Sequence, residues 1–593
     1  MNILLTAINA KYIHSNLAVY SLRACAGEYR DAVELAEYTI NNQKDYILEE
    51  LYKRKPDVLC FSCYIWNIDY VTDIAREYKK LCPSVPIWVG GPEVSYEVEA
   101  FLRENPYIDG VMIGEGEDTF RELCGYYAHK RKLSDIGGIA FRKNSTGNST
   151  SVNNIGGNKA GEIVFTSPRP IKNMSEIPFC YDTLDDFSNR IIYYESSRGC
   201  PFSCSYCLSS VDKTLRFRDT EIVKRELKFF IDQKVPQIKF VDRTFNCNHA
   251  HAMELWRFIK ANDNGVTNFH FEISADLLNQ EELELISDMR PGLIQLEIGV
   301  QSTNEVTIKE IHRTMKLERL KEVVRLIQSG NNIHEHLDLI AGLPYEDYDS
   351  FGRSFDEIYE LKPNQLQLGF LKVLKGSYMF EHAAEYGIVY HDKPPYEVMS
   401  TKWLSFDDVI KIKRVEDMLE VYYNSGQFEI TMKLMECIFD SAFEFFQELG
   451  DFYEANGYFG MSHSRIRRCE ILLEFLALYL HGCDSDDMAS VGLFGNAGDR
   501  DNTDFDENAQ IYSMIQESLI FDLYYRENCK SRPVWATDIG SFKHMTHAYC
   551  KNGKLSHVEP FHYIFPDKHT RKLDELPKYH KEPVWALFHY DMR

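Results

Sequence analysis

The chain has 593 residues, 44% of them hydrophobic and 13% aromatic, which is typical of several well-packed globular domains and excludes a largely disordered chain. Its formal net charge of −24 argues against an extensive nucleic-acid surface, because such a surface needs clustered lysine and arginine. The 15 cysteines are scattered, we find no secretory signal, and no apolar run reaches the roughly 20 residues that span a bilayer. We therefore expect a cytoplasmic protein with no nucleic-acid and no membrane partner.

Short apolar strands alternate with helical segments over residues 1–125. The strands are predicted at 3–6, 32–38, 58–62, 87–89 and 110–113. This alternation predicts a doubly wound, flavodoxin-like parallel sheet. Ligands of such sheets bind beyond the carboxyl ends of the strands, and polar or glycine residues follow three of these strands. The candidate ligand-binding residues are Ser62, Tyr64, Gly90, Gly91, Glu93, Gly114, Glu115 and Gly116.

This leading region resembles the cobalamin-binding domain found ahead of many radical S-adenosylmethionine (SAM) cores. The resemblance rests on the residues just named, and it implies that their loops hold the nucleotide tail of cobalamin and cradle the corrin. The D-x-H-x-x-G motif of methionine synthase is absent, and the spacing around His14 does not match it. We therefore expect cobalamin without histidine coordination, with a residue near 64–66 facing its lower side. The alternative is a flavodoxin-like fold that binds nothing.

Residues 126–189 form a predicted linker that contains a flexible hairpin. Two short strands are predicted at 137–142 and 163–166, on either side of a polar, glycine-rich stretch at 144–161. That stretch has no hydrophobic periodicity, so we expect it to be a surface hairpin tip.

Three closely spaced cysteines follow a short apolar run at 191–194. Cys200, Cys204 and Cys207 have a C-x3-C-x2-C spacing within one loop. Three thiolates of one loop can bind three irons of a cubane cluster and leave the fourth iron open. The alternatives are a structural zinc site, which would need a fourth ligand, and a reduced buried trio.

The same loop resembles the signature loop of radical SAM enzymes. The resemblance implies that the open iron chelates the amino and carboxylate groups of SAM, and that Tyr206 lies near the adenine. Strand and helix alternation resumes after the loop and gives six strands over residues 190–380, which predicts a partial (β/α)6 barrel.

The polar and glycine residues of this core stand at the predicted strand ends, where barrel enzymes place their sites. By the resemblance, the candidate SAM contacts are Asp242, Glu272, Gly299, Gln301, Ser302 and Gly342. The customary Gly-Gly-Glu is replaced by Val241-Asp242-Arg243. Arg313 is either a partner of the SAM carboxylate or a solvated helix residue.

Residues 381–593 are predicted to form a mainly helical region, with helical periodicity at 406–449 and 465–479 and an acidic loop at 484–508. The region resembles the uncharacterised C-terminal extension of some cobalamin-fused members. Substrate recognition is our hypothesis for it.

The resemblance to cobalamin-dependent radical SAM enzymes covers residues 1–380. It implies three cofactors: a [4Fe–4S] cluster, SAM and cobalamin. The implied activity is methylation of an unactivated carbon of a small molecule or peptide, with electrons from a donor such as flavodoxin or ferredoxin. The alternatives are a cobalamin-dependent radical cyclase or rearrangement enzyme, and a non-catalytic cobalamin- or SAM-binding regulator. No catalytic side chain is assigned from the sequence.

Overall fold

The computed structural model describes the chain outside 144–160, 482–506, 537–555, 591–593 and a few single positions, which are 188, 212, 528, 530, 531, 568, 569, 571 and 574. The predicted hairpin tip and nearly all of the predicted acidic loop lie outside the described residues. The chain divides into two compact units, Met1–Glu346 with Gly369–Ser405, and Asp347–Leu368 with Phe406–Arg593. The predicted boundary after residue 380 falls within the first unit and remains a prediction.

A seven-stranded sheet begins the first unit. Its strands are β1 (Ile3–Asn9), β2 (Val33–Thr39), β3 (Val58–Ser62), β4 (Ile87–Gly90), β5 (Gly110–Met112), β6 (Ile139–Lys143) and β7 (Glu162–Phe165). The spatial order is β2-β1-β3-β4-β5-β6-β7. The first five are parallel and have the flavodoxin-like order, with helices α1 (Leu17–Cys25), α2 (Lys44–Arg54), α3 (Ile68–Leu81), α4 (Val98–Glu104) and α5 (Glu117–Tyr127) between or after them.

Burial of apolar residues explains why this sheet forms. All five residues of β3 are buried, as expected of a parallel strand covered on both faces. The helix α3 buries Ile68, Val71, Ile74 and Tyr78, which recur at helical spacing and form one apolar stripe. The predicted pairing of two strands on either side of 144–161 is confirmed, since β6 and β7 are antiparallel, and β6 continues the sheet beside β5.

The second sheet also belongs to an alternating β/α pattern. Its region contains β8 (Ile192–Tyr194), β9 (Ser197–Arg198), β10 (Arg216–Phe217), β11 (Gln237–Phe240), β12 (Asn268–Ile273), β13 (Ile294–Gln301), β14 (His334–Ala341) and β15 (Gln365–Phe370). The short strands β9 and β10 pair with each other, and the other six form one sheet in the order β15-β14-β13-β12-β11-β8. The intervening helices are α6 (Thr220–Asp232), α7 (His249–Ala261), α8 (Gln280–Ser287), α9 (Glu305–Glu310), α10 (Leu317–Ser329) and α11 (Tyr348–Tyr359). The predicted fold class, a partial (β/α)6 barrel after a doubly wound sheet, is confirmed.

The remaining elements are mostly helical, as predicted. The first unit ends with α12 (Tyr378–His382), β16 (Val389–Tyr390) and β17 (Val398–Ser400). The second unit contains α13 (Phe406–Leu419), α14 (Glu429–Ile438), α15 (Ala442–Ala455), α16 (Arg465–His481), α17 (Glu507–Arg526), β18 (Ser556–Tyr563) and β19 (Tyr579–His589). The predicted helical stretch 406–449 is divided among three helices, because Gly426 has a φ of 58° and Ser441 caps a new helix start at α15. None of the described helices is both long and apolar enough to cross a membrane.

Candidate functional site: two cavities beside the cysteine loop

The carboxyl ends of β3, β4 and β5 open into a cavity of about 600 Å³, which we call the glycine-loop cavity. Seven of the candidate residues of the leading region line it: Ser62, Tyr64, Gly90, Gly91, Gly114, Glu115 and Gly116. Residues near the cysteine loop line it as well, among them Glu195, Arg198, Gly199 and Arg243. The cavity therefore lies between the loops of the first sheet and the residues that follow β8 and β11.

Glycine backbone shapes one wall of this cavity. Gly91 has a φ of 120°, and a Cβ atom there would lie 2.4 Å from the carbonyl oxygen of Cys63. Gly114 has a φ of 75°, and no atom outside its chain neighbours lies within 4 Å of the position that a Cβ would take. Side chains are disfavoured at both positions, so the main chain itself faces the cavity. This is the wall expected for a large flat ligand, and it fits the corrin that the leading domain implies.

Tyr64 forms another part of the wall, and Trp66 packs against it. The rings of Tyr64 and Trp66 are stacked, with centroids 4.4 Å apart and planes inclined by 6°. Trp66 Nε1 donates to the carbonyl of Ile8 over 3.1 Å, which fixes the outer ring. Burial raises the pKa of Tyr64 to about 12, so its hydroxyl stays protonated. His14 does not line the cavity; its Nδ1 lies 2.6 Å from Tyr193 Oη.

Glu115 belongs to an ion cluster that joins the first sheet to the cysteine loop. Its Oε1 lies 2.6 Å from Nη2 of Arg216 and 3.4 Å from Nη1 of Arg198. Arg198 also contacts Glu117 at 2.7 Å and Glu195 at 2.8 Å. Although burial alone raises it, the two guanidinium groups hold the pKa of Glu115 below its ordinary value. The predicted cofactor residue Glu115 thus lines the cavity with its charge already paired.

Glu93, also predicted to contact the cofactor, does not line the cavity. Its Oε1 accepts a hydrogen bond from Tyr396 Oη, which comes from the segment after β16. Burial raises the pKa of Glu93. The Glu93 side chain therefore connects the first sheet, through this hydrogen bond, to a segment about 300 residues later in the chain.

The three cysteines of the predicted cluster loop are free thiols, with Cys200 and Cys204 buried and Cys207 partly buried. Ser210 Oγ donates to the carbonyls of both Cys204 and Cys207, at 2.9 and 2.6 Å, and so holds the loop in a tight turn. Arg313 Nη1 lies 3.8 Å from Cys204 Sγ and 3.3 Å from Tyr206 Oη. Arg313 therefore lies against the loop and is not a solvated helix residue.

Three free cysteines of one loop suit an iron–sulfur cluster of the kind that the radical SAM signature implies. Among the described residues, no three His, Cys, Asp or Glu side chains are placed to share one metal ion. A zinc site needs its ligands to converge on one atom, whereas each cysteine of a cubane cluster binds a different iron. The neighbouring guanidinium of Arg313 also lowers the pKa of the Cys204 thiol, against the larger effect of burial, which raises it overall.

A second, smaller cavity of about 140 Å³ lies inside the barrel next to Cys204, and we call it the barrel cavity. The predicted SAM contacts Glu272, Gly299 and Gln301 line it. Burial raises the pKa of Glu272 to about 7. The charged residues that share this wall are Arg243, Glu297, Arg313 and Asp338.

A distorted strand end positions two of these residues. The pairing of β13 with β14 shifts register between Gly299 and Gln301, and Gln301 has a φ of 78°. A Cβ on Gly299 would lie 2.4 Å from Gln301 Nε2, so the Gln301 amide occupies the space that a side chain would need. Bulges and left-handed residues of this kind are frequent at functional sites, where they redirect a side chain.

Four predicted SAM contacts line neither cavity. Asp242 is fully buried and accepts hydrogen bonds from Ser196 N, Ser196 Oγ and Ser197 Oγ at 2.9, 2.6 and 2.6 Å. Ser302 Oγ donates to Glu346 over 2.6 Å. A Cβ on Gly342, whose φ is 87°, would lie 2.6 Å from the Val398 side chain. Tyr206 contacts Arg313, as described above. These contacts hold the strand ends in place, and a role toward SAM remains a prediction.

The residue that sequence reasoning missed is Arg243, which lines both cavities. Its side chain is exposed. Its position in the sequence could have indicated a role in the site. Arg243 directly follows Asp242 after β11, where Val241-Asp242-Arg243 replaces the customary Gly-Gly-Glu.

Comparisons with known proteins agree with this arrangement. A family model described as a B12 binding domain matches residues 3–124, and one described as the radical SAM superfamily matches residues 194–358. A third, described as a protein of unknown function (DUF4080), matches residues 384–590. The chain therefore combines a B12-binding domain with a radical SAM domain. These two domains specify cobalamin, a [4Fe–4S] cluster and SAM as its cofactors.

Several relatives belong to the same class. The cobalamin-dependent radical SAM methyltransferase TokK of Streptomyces tokunonensis is 27% identical over 360 residues, which are 57% of this chain and 49% of TokK. An anaerobic magnesium-protoporphyrin IX monomethyl ester cyclase of Rubrivivax gelatinosus is 22% identical over 355 residues, 57% of this chain and 60% of the cyclase. The chain thus spans about half the length of the methyltransferase relative.

Among solved structures, the cobalamin-dependent SAM radical enzyme OxsB, with aqua-cobalamin and SAM bound, has a TM-score of 0.54 at 15% identity. The alignment covers 88% of this chain and 80% of OxsB. At this identity the likeness concerns the fold.

Proposed function

We propose that this protein is a cobalamin-dependent radical SAM methyltransferase that methylates an unactivated carbon of a small molecule or peptide. The observation that carries the proposal is the placement of the two cavities. Cys204 opens on the barrel cavity, glycine backbone lines the glycine-loop cavity, and Arg243 belongs to the walls of both. A substrate at Arg243 is within reach of ligands in either cavity.

The cofactors supply the difficult chemistry when they are bound: the reduced cluster provides the electron that cleaves SAM, and cobalamin provides the methyl carrier. The residues of the chain position and shield them. Gly91 and Gly114 would bring backbone against the corrin, and Tyr64, supported by the stacked ring of Trp66, would add a flat aromatic surface. Arg313 lies against the cysteine loop, where a SAM carboxylate bound to the open iron would need a cation. We also propose that the partner is a small electron donor such as flavodoxin or ferredoxin, and that the C-terminal region contributes to substrate recognition.

Two relatives support different activities, methylation and cyclisation. TokK is named as a methyltransferase and the Rubrivivax protein as a cyclase, and both match a similar share of this chain. Methylation and cyclisation would use the same cysteine loop, so the product distinguishes them.

The test is anaerobic reconstitution with iron, sulfide and cobalamin, followed by incubation with SAM labelled in its methyl group and a small-molecule extract of the cells that make the protein. We expect four irons per chain, bound cobalamin, release of 5′-deoxyadenosine and label in an extract component. Deoxyadenosine without label transfer would favour the cyclase or rearrangement alternative, and no deoxyadenosine would favour a regulator.

The matched variants are Cys204→Ala and Cys247→Ala. Cys204 is one of the three loop cysteines, whereas Cys247 follows β11, lies outside the C-x3-C-x2-C motif and is only partly buried. We expect Cys204→Ala to lose the cluster and deoxyadenosine formation and Cys247→Ala to keep both. Normal iron content in Cys204→Ala would contradict the proposal.

A further inference from the structure

Arg243 is held in place by its neighbours on both sides. Asp242 is anchored by three hydrogen bonds from Ser196 and Ser197, and Thr244 Oγ1 lies 3.8 Å from Cys200 Sγ. Thr244 Oγ1 also donates to the carbonyl of Arg243 over 2.8 Å. The backbone at Arg243 is therefore fixed relative to the cysteine loop, while its side chain is exposed.

Most carboxylates around Arg243 are paired with other groups; the exception is Glu272 in the barrel cavity, whose pKa burial raises to about 7 and the charge of Arg243 lowers in part. In the glycine-loop cavity, Glu115, Glu117 and Glu195 contact Arg198, and Glu226 contacts Arg218 at 2.6 Å. In the barrel cavity, Glu297 lies 2.8 Å from Lys239 and 2.9 Å from His270, and Asp338 lies 3.1 Å from His336. No carboxylate of the described part of the chain forms an ion pair within 4.0 Å of the Arg243 guanidinium.

Arg243 differs in this respect from the other arginines of the two cavity walls. Arg198 and Arg218 have carboxylate partners, and Arg313 is bonded to the carbonyl of Gly299 and lies against Cys204 and Tyr206. A guanidinium stays charged at any physiological pH, so ligands that expel water from the cavities would leave Arg243 in need of a counter-charge. Its planar donors match a carboxylate or phosphate group.

We propose that Arg243 binds a carboxylate or phosphate group of the substrate, so that the substrate class is a small molecule or peptide bearing an oxyanion. This assignment rests on the proposed function. SAM and cobalamin also carry anionic groups, a carboxylate and a phosphate, and each is a competing source of the same chemistry. Arg313 contacts the cysteine loop directly, since its Nη1 lies 3.8 Å from Cys204 Sγ. We therefore assign the SAM carboxylate to Arg313 and the substrate oxyanion to Arg243.

The first experiment measures how fast phenylglyoxal, an arginine reagent, modifies Arg243 in the cluster-containing protein, with mass spectrometry reporting each arginine. The protein is tested with cobalamin alone, with SAM alone, with both, and with both plus inorganic phosphate or acetate. We expect Arg243 to react with either or both cofactors bound and to be protected by phosphate or acetate. Arg225, which is exposed on α6, serves as the internal control and should react equally in all samples.

Protection by SAM alone or by cobalamin alone would overturn the proposal and assign Arg243 to that cofactor. Failure of both anions to protect would overturn it as well. The same samples are assayed for iron, cobalamin and deoxyadenosine, so loss of the proposed function is seen separately from loss of the anion site.

The second experiment uses variants and equilibrium dialysis with labelled phosphate against the cofactor-loaded protein. We expect Arg243→Gln to lose about tenfold in phosphate affinity, since a charge-assisted hydrogen bond is lost, and Arg243→Lys to keep most of it. Arg225→Gln should bind phosphate as the unchanged protein does. Equal phosphate binding by Arg243→Gln and the unchanged protein would contradict the assignment.

Discussion

The walls of the two cavities differ in composition. The glycine-loop cavity has main chain on one wall, where Gly91 and Gly114 leave no room or no favourable conformation for a side chain. The barrel cavity is smaller and has charged side chains on its walls, including Glu272, Glu297 and Arg313. The glycine-loop cavity also has charged residues, such as Glu115 and Arg198, but these are paired with each other. We therefore infer that shape selects the ligand in the first cavity, whereas charge selects it in the second.

The two cavities should also respond differently to substitutions and to pH. A cavity shaped by backbone is sensitive to a single added methyl group, because main-chain atoms cannot move aside as a side chain can. A cavity lined by ionisable groups is sensitive to pH and to the loss of one charge partner. The three predictions below test these differences, in order of decreasing effect.

The largest effect is expected from Gly91→Ala. The new methyl group would lie 2.4 Å from the Cys63 carbonyl oxygen, at a φ of 120° that other residues avoid. Overpacking and backbone strain together should lower the free energy of unfolding by about 4 kcal/mol. Cobalamin retention should fall with it, measured by absorbance after gel filtration. The control is Gly265→Ala, at a φ of 75° with nothing within 4 Å of the new methyl group, which should cost about 1 kcal/mol. Equal losses in the two variants would show that the close approach of Gly91 to Cys63 contributes little, and would contradict a cavity wall that is sensitive to one added methyl group.

A smaller effect is expected from Arg198→Gln, at the ion cluster between the first sheet and the cysteine loop. The substitution leaves the buried carboxylate of Glu117 and those of Glu115 and Glu195 without this partner, and should cost about 3 kcal/mol in urea unfolding. The matched control is Arg76→Gln, whose ion pair with Asp73 is exposed and should be worth less than about 0.5 kcal/mol. A loss at Arg198 no greater than that at Arg76 would show that the cluster contributes little.

The smallest effect concerns pH and Glu272. Its pKa is raised to about 7 by burial, so between pH 4.5 and 7 the native state keeps a proton that the unfolded chain has lost. This group therefore stabilises the native state less as pH rises through that interval, by about 2 kcal/mol in total. Glu272→Gln should remove this part of the pH dependence in urea unfolding at pH 5 and pH 7, whereas the exposed control Glu281→Gln should not. Parallel pH profiles for Glu272→Gln and the unchanged protein would argue against a neutral Glu272.

Much of the fold could be predicted because it depends on local patterns. Alternating apolar strands and amphipathic helices specify both parallel sheets, and the spacing of Cys200, Cys204 and Cys207 within one loop needs no tertiary information. Glycines after β4 and β5 indicate a backbone-lined site for the same reason.

The partners of individual polar side chains could not be predicted, because they depend on contacts distant in sequence. Both Glu272 and Asp242 stand at predicted strand ends, so their positions in the sequence look equivalent. In the structure Glu272 lines the barrel cavity, whereas the carboxylate of Asp242 accepts hydrogen bonds from Ser196 and Ser197. Nor does sequence position reveal that Glu115 meets Arg198 and Arg216. Arg243 was missed because its proposed role depends on its having no ion pair among the described residues, which only the folded chain shows.

The hydrogen bond between Tyr396 and Glu93 has a practical consequence for anyone who wishes to study the cofactor-binding part alone. A fragment that stops at residue 380 would keep the Glu93 carboxyl group but remove its donor, and would also lack β17, whose Val398 side chain lies beside Gly342. A fragment that extends to Ser405, where the first compact unit ends, retains these contacts.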